Sequence, residues 1–241
     1  MISLRGVTKT YNRGAIPAVN GLDLFVNDGE IFGFIGPNGA GKSTTIKMMT
    51  GILLPDCGDI DINGDDMVRD PVTTKKQIGY VPDSPDLYER LTGMEYLKFM
   101  GDIYEVSADR RAALIEKYAG MFEMTDHLGE QIKSYSHGMR QKIVVIGALL
   151  HEPRVWILDE PMVGLDPKSS HLLKEEMRAH CDRGNTVFFS THVLEVAEKL
   201  CDRIGIIDHG RLIATGTIEE LREKAQGEGS LESIFLSLTD D

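Results

Sequence analysis

The sequence predicts an α/β fold in which a parallel or mixed sheet forms the core. Short, almost entirely apolar segments recur along the 241 residues, and helical stretches such as 168–182 and 193–200 separate several of them. Strand signals stop between residues 88 and 150, where helical patterns take their place. We therefore expect a core of alternating strands and helices, with a helical subdomain inserted into it.

Five segments have the composition of strands that are buried on both faces, because they are short, apolar and rich in β-branched or aromatic residues. They are IFGFI at 31–35, QIGYV at 77–81, VWIL at 155–158, TVFF at 186–189 and IGII at 204–207. Two earlier segments, GLDLFV at 21–26 and GDIDING at 58–64, carry turn residues at their ends. These two predict short strands in a small antiparallel β subdomain.

The C-terminal segment LESIFLSL has the spacing of an amphipathic helix. One apolar face would contain Leu231, Ile234, Phe235 and Leu238. We expect this short helix, within residues 227–241 and after the loose linker GEG at 227–229, to pack on its own core, the alternative being a partner. Residues 1–226 are expected to form one domain, with the helical subdomain at approximately 88–150.

Composition and charge narrow the functional classes. The formal net charge is −12 at pH 7, whereas sequence-independent binding to nucleic acid needs clustered Lys and Arg, so we expect no nucleic-acid partner. The first residues lack the apolar core of a signal peptide, and the longest apolar run, 143–150, is too short to span a bilayer. We therefore expect a chain that does not enter a membrane unaided.

The segment GPNGAGKST at 36–44 carries the most specific signal. It matches G-x-x-x-x-G-K-[ST] completely and lies between a predicted strand and a predicted helix, whereas an ordinary glycine-rich turn needs neither. Its glycines let backbone amides turn towards phosphate oxygens, Lys42 reaches the β- and γ-phosphates, and Ser43 offers a hydroxyl to Mg²⁺. The segment predicts a P-loop NTPase whose nucleotide contacts are Gly36, Pro37, Asn38, Gly39, Ala40, Gly41, Lys42, Ser43 and Thr44.

A second chemical signal is VWILDEP at 155–161, an apolar strand that ends in two carboxylates. Asp159 stands where it can join the Mg²⁺ shell, and Glu160 beside it can hold the attacking water and accept its proton. One carboxylate suffices for a metal, so two adjacent ones indicate hydrolysis. A solvated acidic turn is the alternative, and the four apolar residues before Asp159 argue against it.

The segment SYSHGMRQK at 134–142 contains many polar residues directly before an apolar run that predicts a buried helix. The first amides of a helix are unpaired and the helix dipole is positive there, so helix N-termini favour anions. The segment therefore predicts an anion-binding site. A helix N-cap formed by Ser136, with no ligand, is the simpler alternative.

Together these segments resemble the nucleotide-binding subunit of an ATP-binding cassette (ABC) transporter, along nearly the whole chain. That family carries a signature, commonly LSGGQ, at the start of a helix ahead of the second carboxylate motif, and YSHGM at 135–139 stands in the matching place. Ser136 and Gly138 are kept, and the form SxGMxQ resembles a variant of exporter-like (ABC-2 type) members. The resemblance implies that Ser136 and Gly138 contact the γ-phosphate of ATP held by the other subunit of a dimer.

Three further residues match the family pattern, and their roles are implied by the resemblance. Tyr11 stands where such subunits carry an aromatic residue that stacks on adenine, although an isolated tyrosine more often serves packing. Asp166 in GLDP matches an aspartate that crosses the dimer interface. His192, after the strand TVFF, matches a switch histidine that senses the γ-phosphate. A lone histidine usually has a structural role, but its position after a strand that follows Glu160 in the sequence favours a catalytic one.

One residue departs from the family pattern. After IGYVP these subunits usually have a glutamine that touches Mg²⁺ and water and links the site to the membrane subunit, whereas this chain has Asp83. A carboxylate is shorter and adds negative charge near the γ-phosphate, which favours a contact through the metal. Asp83 is therefore a candidate metal ligand beside Ser43 and Asp159, and we expect activity to survive the change.

The resemblance implies an ATP-binding and ATP-hydrolysing subunit on the cytoplasmic side of the cell membrane, with Mg²⁺ as cofactor. Two copies would enclose two ATP molecules and drive a separate integral membrane permease, contacted around residues 83–88 and by the helix MEYLKFMGDIY. One alternative is a soluble cassette ATPase that acts on nucleic acid or ribosomes, but those usually have two cassettes or long insertions. The other is a kinase or GTPase, which YSHGM and the lack of an NKxD motif disfavour.

Overall fold

The computed structural model describes residues 1–11, 16–224 and 231–239. Within these ranges the strands are β1 Ile2–Lys9, β2 Val19–Val26, β3 Ile31–Ile35, β4 Cys57–Ile62, β5 Asp65–Asp66, β6 Ile78–Val81, β7 Val155–Asp159, β8 Thr186–Thr191, β9 Arg203–Asp208 and β10 Arg211–Gly216. The helices are α1 Lys42–Met49, α2 Pro71–Lys76, α3 Gly93–Ile103, α4 Ala108–Met121, α5 His137–Leu149, α6 Pro167–Asp182, α7 Leu194–Leu200, α8 Ile218–Lys224 and α9 Leu231–Thr239. None of the helices within these ranges is both long and apolar enough to cross a membrane.

Two sheets organise the fold, and they confirm the predicted fold class. The larger has the order β10-β9-β3-β8-β7-β6 and is parallel except for the edge strand β10. The smaller, β2-β1-β4-β5, is antiparallel. Between β6 and β7 lie α3, α4 and α5, in the block for which a helical insertion was predicted.

The alternation of side chains along β7 explains how the layers are built. Trp156 and Leu158 point into a core formed with the helical block, whereas Val155 and Ile157 point into a core shared with the antiparallel sheet and α1. All four are 0% exposed. The apolar run without alternation in the sequence therefore reflects burial on both faces, as expected for a central parallel strand.

The C-terminal helix α9 packs on its own core, as predicted. Leu231 and Ile234 are buried in a cluster with Ala197 and Leu221, and Phe235 packs against it. The side chain of Leu238, the linker at 227–229 and the expected boundary at 226–227 lie outside the described residues.

The parallel strands place the chemical signals at one edge of the larger sheet. Strands β3, β7 and β8 run in the same direction, with Ile35 opposite Thr191 and Asp159 opposite Ser190. The phosphate loop, Glu160 and His192 directly follow these strand ends, and Asp159 is the last residue of β7. Segments far apart in the sequence therefore converge at the carboxyl edge of the sheet.

Candidate ATPase site

The phosphate loop joins β3 to α1 and encloses Lys42. This side chain is 7% exposed, and its Nζ donates to the carbonyl oxygens of Gly36 at 2.7 Å and Pro37 at 3.1 Å. Burial lowers the pKa of Lys42, and the charges of Glu160 and Asp159 partly offset that effect. The ammonium group thus lies inside the loop, on neutral partners that phosphate oxygens can replace.

Two glycines of the loop leave no room for a side chain. A Cβ at Gly41 would lie 2.5 Å from the carbonyl oxygen of Ala18, and Gly41 has a φ of +108°. A Cβ at Gly36 would overlap the carbonyl oxygen of Ile207. The loop can follow this path only with glycine at these positions, and this path is the one in which backbone amides can turn towards a phosphate.

Asp159 ends β7 and is 3% exposed. The hydroxyl of Ser190 donates to its Oδ1 at 2.6 Å and accepts from the amide of Glu160 at 3.0 Å. No hydrogen bond within the described residues reaches Asp159 Oδ2. A carboxylate oxygen without a donor, together with the exposed hydroxyl of Ser43 at the start of α1, fits the oxygen ligands that Mg²⁺ prefers.

Glu160 lies between the imidazole of His192 and the ammonium group of Lys42. Its Oε2 is 3.0 Å from Nδ1 of His192, its Oε1 is 4.0 Å from Nζ of Lys42, and its side chain is 14% exposed. Its φ of +49° is uncommon for a residue other than glycine, and such conformations cluster at functional sites. The structure thus brings together three residues that the sequence predicts to be catalytic.

Asp83 belongs to the same electrostatic cluster. Burial, followed by the negative charges of Asp159 and Glu160, raises its pKa, and His137 and His192 partly offset the increase. The side chain is in an exposed loop after β6. Asp83 therefore lies close enough to the two carboxylates for their charges to raise its pKa, while its contact with the metal stays a prediction.

A family model described as ABC transporter matches residues 19–163. The chain belongs to the ABC transporter family. It is an ATP-binding and ATP-hydrolysing subunit, which confirms the expected function and disfavours the soluble cassette, kinase and GTPase alternatives.

Relatives and solved structures agree with this family. The linearmycin resistance ATP-binding protein LnrL of Bacillus subtilis (strain 168) is 38% identical over 95% of this chain and 73% of its own length. The Nod factor export ATP-binding protein I of Burkholderia lata is 36% identical over 94% and 74%, respectively. A structure of the ATP-binding subunit of an ABC transporter has a TM-score of 0.94 at 34% identity, covering 99% of both chains. A dimeric ATP-binding cassette in a post-hydrolysis state with ADP and Pi has a TM-score of 0.82 at 25% identity, covering 90% of this chain and 99% of that one.

In this ABC ATPase subunit, Tyr11 lies beside the phosphate loop. Its hydroxyl is 3.3 Å from Oγ1 of Thr44, and the residue is 46% exposed. Pro37, Asn38 and Gly39 on the outer side of the loop are also exposed. The ring is therefore placed where a nucleotide on the loop could reach it, and adenine stacking stays a prediction.

The signature segment begins α5. Ser136 is the N-cap, with Oγ accepting from the amide of Met139 at 3.3 Å, so the predicted capping role of this residue is confirmed. Ser136 is also exposed, and Gly138 is half-buried. The capping hydrogen bond leaves Ser136 accessible to solvent. A contact of Ser136 and Gly138 with the ATP of a second subunit stays a prediction.

Asp166 is held within its own chain. It is the N-cap of α6, accepts from Oγ of Ser169 at 2.6 Å and from its amide at 2.9 Å, and lies 3.3 Å from Nζ of Lys142. These hydrogen bonds and the lysine hold the pKa of Asp166 well below its usual range. A role across a dimer interface stays a prediction.

Sequence reasoning missed Ser190 and Lys142, which orient Asp159 and Asp166, respectively. Ser190 is the first polar residue after the apolar run TVFF, at the carboxyl end of a predicted strand. That position could have indicated it. Lys142 had no comparable signal, because its contact joins two separate helices.

Proposed function

We propose that two copies of this chain bind two ATP molecules between them and drive a separate integral membrane permease from the cytoplasmic side of the cell membrane. The observation that carries the proposal is the position of Glu160, 3.0 Å from His192 and 4.0 Å from Lys42, at the edge where the phosphate loop begins. The dimeric relative with ADP and Pi supports two-subunit assembly. The names of the relatives in linearmycin resistance and Nod factor export support export as the direction of transport.

Binding is assigned to the phosphate loop and its neighbours. The loop amides and Lys42 hold the β- and γ-phosphates, and Tyr11 stacks on adenine. Mg²⁺, held by Ser43 and Asp159 with Asp83 as a further candidate ligand, supplies charge neutralisation for the β- and γ-phosphate oxygens. Ser190 keeps Asp159 in place through its 2.6 Å hydrogen bond.

Hydrolysis is assigned to Glu160 and His192. Glu160 orients a water molecule and accepts its proton while the water oxygen attacks the γ-phosphorus and the bond to the ADP oxygen breaks. His192 holds the carboxylate through Oε2 and lies where it can respond to the γ-phosphate. Lys42 stabilises the charge on the phosphates as the bond breaks.

The two ATP sites are composite in this proposal. Each contains the phosphate loop of one chain and Ser136 and Gly138 of the other, with Asp166 at the shared interface. The support is that Ser136 is exposed at a helix N-terminus, whose unpaired amides favour an anion.

The permease is proposed to dock beside Asp83, on the segment that leads into α3. Tyr88 and Phe99 are 64% and 41% exposed, and their rings meet edge to face at a centroid distance of 5.8 Å. They line an open, mainly apolar groove of about 720 Å³ together with Glu89, Arg90 and Leu91. An apolar helix face of a membrane subunit is a suitable occupant, since exposed apolar patches mark interaction sites.

Mixed dimers test the composite site. One protein carries Lys42→Ala and another Ser136→Arg, so each homodimer has a lesion in both sites and should be nearly inactive. A mixed dimer collects both lesions in one site and leaves the other intact, so mixing should restore part of the ATPase activity. The matched control mixes Lys42→Ala with Lys42→Arg. Both sites of that mixed dimer contain an altered Lys42, so mixing should restore no activity. Mixed dimers confirmed by mass that remain silent would contradict the composite site.

A further inference from the structure

His137 follows the N-cap of α5 and packs on the turn after Glu160. A Cβ added at Gly164 would overlap the imidazole ring, 2.6 Å from Nε2 of His137. Gly138 is also close, since a Cβ there would lie 2.9 Å from the carbonyl oxygen of Gly164. The start of α5 and Gly164 are thus packed together with no room for another carbon atom.

Gly164 is connected to Glu160 through two consecutive turns. The amide of Val163 donates to the carbonyl oxygen of Glu160 at 3.2 Å, and that of Leu165 donates to the carbonyl oxygen of Met162 at 3.3 Å. Gly164 has a φ of +78°, which favours glycine. A displacement of Gly164 would therefore be passed along a short, hydrogen-bonded segment to the backbone of Glu160.

From these contacts we propose that His137 is a positioning residue, which packs on Gly164 and so holds the turn 160–165 with Glu160 in its hydrolytic position. This inference rests on the proposed function, because it requires Glu160 to accept the proton of water. In the proposed dimer, the start of α5 faces the ATP of the partner, whereas Glu160 serves the phosphate loop of its own chain. His137 then connects the two sites by direct packing.

Substitution of His137 gives the first test. His137→Ala removes the ring from Gly164, and we expect kcat to fall about tenfold while KM for ATP changes less than about twofold, since the phosphate loop and the side chains of Tyr11 and Ser136 are unchanged. His137→Phe restores a flat ring of similar position, so we expect it to recover at least half of kcat. A merely structural role would lower the yield of folded protein without this split, so kcat is measured per ATP-binding site.

A double-mutant cycle gives the second test. Gly164→Ala should lower kcat strongly in the wild type, where the new Cβ meets the ring, and less in the His137→Ala background, where only the φ strain remains. We expect a coupling of about tenfold in kcat. The matched control is Gly184→Ala, because Gly184 has a φ of +83° with no atom within 4 Å of an added Cβ, and its kcat should be unchanged.

The outcomes separate this inference from the proposed function. Active wild-type protein with an unchanged kcat in His137→Ala, or additive effects of His137→Ala and Gly164→Ala, would overturn the positioning role alone. Wild-type protein without ATPase activity would overturn the proposed function and this inference with it. Reduced kcat, unchanged KM, rescue by phenylalanine and a non-additive cycle together would support the inference.

Discussion

Two buried carboxylates in this chain are compensated in different ways. Asp159, 3% exposed, receives a hydrogen bond from the neutral hydroxyl of Ser190, and no other within the described residues. Glu176 on α6, 4% exposed, lies 2.9 Å from Nη2 of Arg183 and accepts from the hydroxyl of Tyr118 at 3.3 Å. A second cation, Lys117, lies 3.9 Å from it.

The difference separates a carboxylate that serves a ligand from one that serves the fold. A buried charge destabilises the fold unless it is paired, and Glu176 is paired with Arg183 and Lys117 of its own chain. Asp159 is left with an oxygen that no described donor reaches, at the edge of the sheet that carries the phosphate loop. In the proposed function its partner is the Mg²⁺ that accompanies ATP, so we expect substitutions at the two sites to have different consequences, for activity at Asp159 and for stability at Glu176.

The largest effect should come from the group that carries out the chemistry beside Asp159. Glu160→Gln removes the proton acceptor but keeps the shape of the side chain, so we expect kcat to fall by about 10²- to 10⁴-fold with ATP binding retained. Lys42→Ala should instead weaken ATP binding itself. Measurements of steady-state ATPase and equilibrium ATP binding distinguish the two, and hydrolysis by Glu160→Gln at the wild-type rate would show that another group is the base.

At the second carboxylate we expect a loss of stability without a loss of activity. Glu176→Ala leaves Arg183 and Tyr118 without their acceptor and should lower the free energy of unfolding by about 2 kcal/mol, with kcat per folded site unchanged. Glu175→Ala, on the exposed side of the same helix, is the matched control and should change little. Urea unfolding and ATPase assays check both. A stable but inactive Glu176→Ala protein would contradict the assignment of a structural role to Glu176 and a functional role to Asp159.

The smallest effect is expected at Asp83, which lies in the cluster but is more exposed than Asp159. Asp83→Ala should keep the basal ATPase rate of the isolated subunit within roughly tenfold, or about 1.4 kcal/mol, whereas stimulation by a permease should fall further. Comparison of the ATPase rate with and without the membrane partner checks this. Complete loss of the basal rate would instead place Asp83 among the essential metal ligands.

The sequence predicted those parts of the site that are local in the chain. The phosphate loop and the pair Asp159 and Glu160 each carry a complete short motif beside a buried strand, and the structure places both at one sheet edge. Partners from distant segments were missed, because the contacts of Ser190 with Asp159 and of His137 with Gly164 depend on how separate elements pack.

Three strands, β1, β10 and the two-residue β5, were also missed, the first two for a related reason. In β1 buried residues alternate with exposed or half-buried ones, and in β10 every residue before Gly216 is exposed or half-buried, so neither has the continuous apolar run that marks the central strands. Strand β10 lies at the edge of the larger sheet and pairs with one neighbour, β9. Such strands depend on pairing with partners that the local sequence does not specify.

The central claim is that Asp159, which forms no ion pair among the described residues, pairs with Mg²⁺ when ATP binds. The direct measurement is the increase in Tm caused by ATP with Mg²⁺ compared with ATP and EDTA, in the Glu160→Gln background, which prevents turnover. We predict a clear Mg²⁺-dependent increase that Glu176→Ala retains from a lower starting Tm and that Asp159→Asn loses. A Mg²⁺-dependent increase that survives in Asp159→Asn and disappears in Glu176→Ala would contradict the account.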